Sequence, residues 1–131
     1  MKRVWVNGCF DVLHRGHLSL FNYASTLGDK LTVGIDSDEK VAKDKGPDRP
    51  YNTLEDRVYH LNCLRFIDEV LTFDSREELD ILIWQYQPDF LVVGEDWKGK
   101  DVVGGEHAKK IVYYPRIKNY STTNILNNDR E

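Results

Sequence analysis

Apolar residues along this chain fall into short blocks that alternate between two spacings. Val4-Trp5-Val6 is a compact β-branched and aromatic run stopped by Gly8, as expected of a buried strand ending in a turn. From Leu18 the spacing lengthens, with Leu18, Phe21, Ala24 and Leu27 at helical intervals, which predicts a helix starting near Gly16. Leu27-Gly28-Asp29 predicts a glycine C-cap, and Leu31-Thr32-Val33-Gly34-Ile35 a second strand. Asp36-Ser37-Asp38-Glu39 predicts a short helix start in which the acids serve the helix dipole rather than a metal. Lys43 to Pro50, with one glycine and two prolines, predicts a loop. Thr53 is the expected N-cap of a helix carrying Leu54, Val58, Leu61 and Leu64. Val70 to Phe73, Phe90 to Val93 and Ile111 to Pro115 predict three more strands, with an amphipathic helix over Glu77 to Tyr86.

Strands alternating with helices imply parallel strands joined by right-handed crossovers, and hence a small, doubly wound, Rossmann-like α/β sheet. In such a sheet the loops after the strands share one edge, where ligands bind at the reversal of strand order. Gly8 and Gly94-Glu95-Asp96-Trp97 both follow predicted strands and so belong to that edge.

The candidate chemistry begins directly after the first strand. In Asn7-Gly8-Cys9-Phe10-Asp11-Val12-Leu13-His14-Arg15-Gly16-His17 a glycine turn leads into a helix start bearing two histidines three residues apart. A helix N-terminus presents free N–H groups and a positive dipole end, so phosphate is the natural occupant, and two histidines there suit a transition state that gathers negative charge. Capping alone would explain one isolated histidine, and two around a glycine favour the functional reading.

Composition narrows the picture only modestly. A chain of 131 residues, 40% apolar, has the size of one domain and needs no disulfide or metal to build a core. A net charge of -4 and a pI near 5.6 argue against a general nucleic-acid binder. Cys9 and Cys63 lack the spacing of a redox or zinc motif and are expected to stay reduced, as in a cytoplasmic protein, and Cys9 has no evident base to make it a nucleophile. Neither a secretory signal nor a membrane-spanning stretch is expected.

The same residues resemble a known family. The segment ending His14-Arg15-Gly16-His17 is similar to the HxGH motif of the cytidylyltransferase-like nucleotidylyltransferase superfamily, and Ser121-Thr122-Thr123-Asn124-Ile125 resembles its late (I/C)STT segment. The resemblance runs along nearly the whole chain. It implies transfer of a nucleotide from a nucleoside triphosphate to a small phosphorylated alcohol or sugar phosphate, with Mg²⁺ as cofactor and a homodimeric assembly. It also implies catalytic roles for His14, His17, Lys43 and Lys45. Nucleotide contacts are implied for Gly8, Cys9, Phe10, Gly16, Gly94, Asp96, Trp97, Ser121, Thr122 and Thr123, and acceptor contacts for Asp11, Arg57 and Arg65. For several of these a structural role competes. Lys43 and Lys45 could be solvated surface, Trp97 could simply pack, the hydroxyls of residues 121–123 could cap a helix, and Arg65 could be a helix-end cation paired with Asp68.

Within the superfamily the motifs divide. Arg65-Phe66-Ile67-Asp68-Glu69-Val70, Gly94-Glu95-Asp96-Trp97 and Tyr114-Pro115-Arg116 resemble glycerol-3-phosphate cytidylyltransferases. Asn7-Gly8-Cys9, Arg49-Pro50-Tyr51-Asn52-Thr53-Leu54-Glu55 and Val103-Gly104-Gly105 resemble heptose 1-phosphate adenylyltransferases. Arg65 and the Asp96-Trp97 loop are expected to border the pocket, so CTP with glycerol 3-phosphate is the expectation and ATP with heptose 1-phosphate the alternative. A nucleotide-binding sensor without turnover is the non-enzymatic alternative, disfavoured by the intact HxGH pattern. An NAD-dependent oxidoreductase would need GxGxxG after the first strand, which is absent.

Overall fold

A computed structural model describes residues 1–115 of the chain. Five parallel strands, β1 (Arg3–Gly8), β2 (Lys30–Asp36), β3 (Glu69–Phe73), β4 (Phe90–Gly94) and β5 (Lys110–Tyr114), form one sheet in the order β3-β2-β1-β4-β5. The chain steps outward from β1 to β3, then returns to the other side of β1 for β4 and β5. The order therefore reverses between β1 and β4, and their carboxyl ends flank the crevice expected of an open α/β sheet. Four helices connect the strands: α1 (Arg15–Ser25), α2 (Asp38–Lys45), α3 (Leu54–Asn62) and α4 (Arg76–Tyr86).

Period-two alternation in β1 decides which residues face which layer. Val4 and Val6 join Leu31, Val33 and Ile35 beneath Phe21 and Ala24 of α1 and Leu61 of α3, whereas Trp5 faces Leu79, Ile83 and Tyr86 of α4 on the opposite side. All of these are buried. Fully burying such side chains contributes roughly 1.5–3 kcal/mol each before conformational entropy is subtracted. The polar atoms of this core find partners. Trp5 Nε1 donates to Asn7 Oδ1 at 2.9 Å, and the Tyr86 hydroxyl donates to the Val4 carbonyl at 3.1 Å.

Three local expectations change. Gly28 does not cap α1, whose C-cap is Thr26. Its role is close approach, since a Cβ there would lie 2.7 Å from the Lys2 carbonyl oxygen. Leu18 lies on the outer side of the α1 stripe, 38% exposed, so the buried contacts come from Phe21 and Ala24. Finally, Lys43 and Lys45 are not in a loop, because α2 continues to Lys45 and ends at Gly46 with φ 113°. Ser37 caps α2, Asp38 and Glu39 occupy its first turn, and the lysines occupy its last. That charge order matches the helix dipole and offsets the weak apolar content of the segment.

Candidate active site

The residues after β1 trace a strained path. Phe10 and Val12 have φ of 46° and 38°, a region that bulky side chains rarely enter. Such a conformation persists only where the surroundings over-determine it. Here the Asp11 carboxylate, buried and 1% exposed, accepts from the backbone N–H groups of Tyr51 at 2.6 Å, Asn52 at 2.9 Å and Val12 at 3.1 Å. The Phe10 ring packs edge-on against Phe21 at 4.9 Å and His17 at 5.5 Å. Gly8 leaves room beneath it, since a Cβ there would stand 3.1 Å from the ring and the ring would have to shift by a few tenths of an ångström.

Arg57 locks this loop to its neighbours. It is fully buried, and its guanidinium donates to the carbonyls of Asn52 (3.1 Å), Cys9 (3.0 Å) and Asp36 (2.8 Å) and to Asp38 Oδ1 (2.7 Å). One side chain thus ties together the loop after β1, the end of β2, the start of α2 and the entry to α3. Asp11 and Arg57, expected to touch the acceptor, instead lie beneath the site and spend their polar atoms on protein. Their short sequence distance from the motifs could not reveal which way they turn.

His14 and His17 open α1 as a reciprocal capping box. His14 Nδ1 accepts from the Gly16 N–H at 3.0 Å, and His17 Nδ1 accepts from the His14 N–H at 3.2 Å. The two rings stack with centroids 3.8 Å apart. Capping and catalysis therefore need not compete. Because His17 Nδ1 accepts from a backbone donor, the hydrogen of its neutral ring sits on Nε2. Burial, followed by the neighbouring His14 and Lys45, pushes the His17 pKa down to about 3. His17 is accordingly neutral near pH 7 and offers a hydrogen bond rather than a charge. The Gly16 amide is also spoken for by His14 Nδ1.

An open cleft of about 750 Å³ spreads over the carboxyl ends of the strands. Of the sequence candidates, Gly8, Cys9, Phe10, Lys43, Lys45, Gly94 and Trp97 line it. The histidines do not themselves bound the empty volume but adjoin it through Phe10 and Lys45, whose charge acts on His17. Burial raises the Cys9 thiol, only partly countered by Lys45 and Arg57, so Cys9 is protonated and not a nucleophile. Asp96 follows β4 in the short 3₁₀ turn Glu95–Trp97 and is exposed, outside the lining. Ser121, Thr122 and Thr123 lie outside the described residues.

Arg65 is elsewhere altogether. It precedes β3, at the amino end of the strands, where it is exposed over the Phe66 ring at 5.3 Å. The cleft is at the opposite edge. Sequence similarity marked Arg65 as a phosphate ligand, but among the described residues it lies before β3 and outside the cleft lining. Conversely, the sequence reading missed Asp36, Lys40, Asp74, Ser75, Arg76 and Val103, all of which line the cleft. A topological signal was present: residues just beyond β2 and β3 must share an edge with Gly8.

Comparison with known proteins decides the family. A family description, "Cytidylyltransferase-like", matches residues 5–128. The chain belongs to the cytidylyltransferase-like family. Among similar members of known sequence is the bifunctional protein HldE of Helicobacter hepaticus, 46% identical over 125 residues, covering 95% of this chain and 26% of that protein. HldE of Campylobacter fetus is 44% identical over 124 residues, covering 95% and 27% respectively. The chain thus spans about a quarter of the length of these relatives. Its fold resembles the lipopolysaccharide core biosynthesis protein of Thermoplasma volcanium, with a TM-score of 0.69 at 24% identity over 92% of this chain and 99% of that one. Pantothenate synthetase of Thermus thermophilus has a TM-score of 0.62 at 16% identity, covering 95% and 61%. This cytidylyltransferase-like domain has, among its described residues, no helix long and apolar enough to cross a membrane.

Proposed function

We propose that this member of a nucleotidyltransferase superfamily joins ATP to heptose 1-phosphate, releasing pyrophosphate. One observation carries the choice of substrates. The segments that resemble heptose 1-phosphate adenylyltransferases contribute Asn7, Gly8, Cys9 and Val103 to the cleft, whereas Arg65, one of the two supports for CTP, sits at the opposite sheet edge. The expectation of CTP with glycerol 3-phosphate loses the part of its support that rested on Arg65, and the similarity to HldE proteins supports the adenylyl reading. Trp97, which lines the cleft within the cytidylyltransferase-like Gly94-Glu95-Asp96-Trp97, is what still favours CTP.

In the proposed reaction an oxygen of the sugar phosphate attacks the α-phosphorus. The bond from that phosphorus to the bridging oxygen breaks, and pyrophosphate leaves with the electron pair. The attacking oxygen is already ionised, so no general base is required. His14 and His17 donate from Nε2 to phosphate oxygens as charge accumulates, and Lys43 and Lys45 hold the polyphosphate from the end of α2. The strained loop, fixed by Asp11 and Arg57, keeps these donors in place without reorganisation.

Mg²⁺ fits this site only as a companion of the nucleotide. Three of the carboxylates lining the cleft are already engaged, Asp36 and Asp44 with Lys40 at 3.3 and 2.7 Å and Asp74 with the Ser37 hydroxyl. Such an arrangement suits an ion held chiefly by phosphates, where Mg²⁺ would neutralise charge. The test is ³¹P NMR of the chain with Mg²⁺ and each substrate pair. ADP-heptose and pyrophosphate are expected from ATP and heptose 1-phosphate. CDP-glycerol formed from CTP and glycerol 3-phosphate, without the adenylyl product, would overturn the proposal.

A further inference from the structure

A second cleft, about 550 Å³, opens between α4 and the segment leading into β5. Glu77, Asp80, Asp101 and Glu106 line it, against the single guanidinium of Arg76. Such a wall selects a cation. His107 joins two of these acids: one ligand atom each from Asp80, Glu106 and His107 lie within 4.8 Å of one another. None of the three belongs to the nucleotide cleft.

The imidazole makes this more than a group of surface acids. His107 Nε2 is a buried atom without a hydrogen-bond partner. Asp80 Oδ1 stands 3.3 Å from it and Glu106 Oε1 3.8 Å, yet neither oxygen lies where it completes a hydrogen bond to the ring nitrogen. The spacing instead suits a shared ion. Bonds of roughly 2.0–2.1 Å in a tetrahedral zinc site put neighbouring ligand atoms about 3.3 Å apart. The Nε2 to Oδ1 distance matches that edge, and Glu106, 72% exposed, is free to swing the remaining fraction of an ångström.

We infer that Asp80, Glu106 and His107 form a binding site for a borderline divalent transition metal of the Zn²⁺ class. One imidazole nitrogen, two carboxylate oxygens and a water complete four-coordination, a donor set that favours zinc over magnesium or calcium. The ion joins α4 to the 3₁₀ turn Gly105–His107 just before β5. It lies beside Val102 and Val103, which line both clefts, and so stiffens one wall of the nucleotide site from outside.

The experiment uses the full chain stripped with a chelator and then titrated with Zn²⁺ by calorimetry, with Co²⁺ absorption as a spectroscopic probe. One ion per chain is expected, with the visible bands of four-coordinate cobalt and a raised melting temperature. Asp80→Asn and His107→Ala should each weaken binding by about tenfold or more, in line with lost ligands. Glu106→Gln, at an exposed position unable to unfold the domain, provides the same test if the other two variants melt. His60→Ala, on the separate helix α3, should keep full affinity. Failure to bind stoichiometrically, or binding that survives His107→Ala and Glu106→Gln, would overturn the inference.

Discussion

Replacing Arg57 separates a strut from a ligand. Arg57→Ala removes four hydrogen bonds and leaves the carbonyls of Cys9, Asp36 and Asn52 without their donor. Each orphaned acceptor costs roughly 1–3 kcal/mol if it stays dry. Asp38 is 41% exposed and can rehydrate, so it adds little. With water entering part of the vacated space, the low end of that range applies, a loss of about 3–5 kcal/mol, the size seen when one partner of a buried charged pair is removed. This is a large part of the 5–15 kcal/mol typical of a domain and corresponds to a fall in melting temperature of roughly 10–20 °C. Arg57→Lys keeps the charge, but one ammonium cannot span acceptors reached separately by Nε, Nη1 and Nη2, so about 2 kcal/mol should still be lost. Urea denaturation followed by circular dichroism measures both, alongside KM for the nucleotide at a temperature where each variant is folded. Unchanged stability of Arg57→Ala with KM raised tenfold or more would refute the strut and restore Arg57 to the substrate.

Other expectations follow from the same geometry. Because the folded His17 pKa is depressed to about 3, the unfolded chain binds more protons below its ordinary value near 6.5. Stability should therefore fall as pH drops from about 6.5 towards 3, by up to about 1.4 kcal/mol per pH unit, and urea midpoints at pH 7 and pH 5 should converge for His17→Gln relative to the parent. Gly8→Ala should cost about 1–3 kcal/mol and raise nucleotide KM, since its Cβ would press on Phe10, and a melt with parallel kinetics checks both effects. Lys43→Ala and Lys45→Ala should weaken triphosphate binding less at high salt than at low salt, as calorimetry at two ionic strengths would show. Arg65→Ala should leave nucleotide KM unchanged in steady-state assays, because its strand end faces away from the cleft.

Much of the fold was legible because it depends on local spacing. The runs Val4 to Val6 and Leu31 to Ile35 and the capping Thr53 each act within a few residues, and parallel strands with helical crossovers leave few arrangements open. The α2 boundary was less visible, since an eight-residue helix held by its caps and charge order has only Val41 buried to announce it. At the site, the glycine turn after β1 could be read as lying on the cleft edge, and Gly8, Cys9 and Phe10 do line the cleft. What the pattern could not convey was direction. Asp11 and Arg57 turn inward and Arg65 belongs to the far edge, distinctions set by contacts 40 or more residues away in sequence, such as Asp11 with Asn52 and Arg57 with Cys9. The neutral state of His17 was equally hidden, because burial is a property of the assembled fold.

The most direct test of the substrate assignment is a competition in one vessel. The chain, with Mg²⁺, receives equal amounts of ATP and CTP together with heptose 1-phosphate and glycerol 3-phosphate, and all nucleotide-diphospho products are quantified by mass spectrometry over time. A site whose polar groups pair with one base edge rejects the wrong base strongly, because the mismatch leaves buried donors and acceptors unpaired. ADP-heptose should therefore dominate, with His17→Ala lowering its rate about a hundredfold or more. Predominant CDP-glycerol, or a product rate indifferent to His17→Ala, would contradict the account.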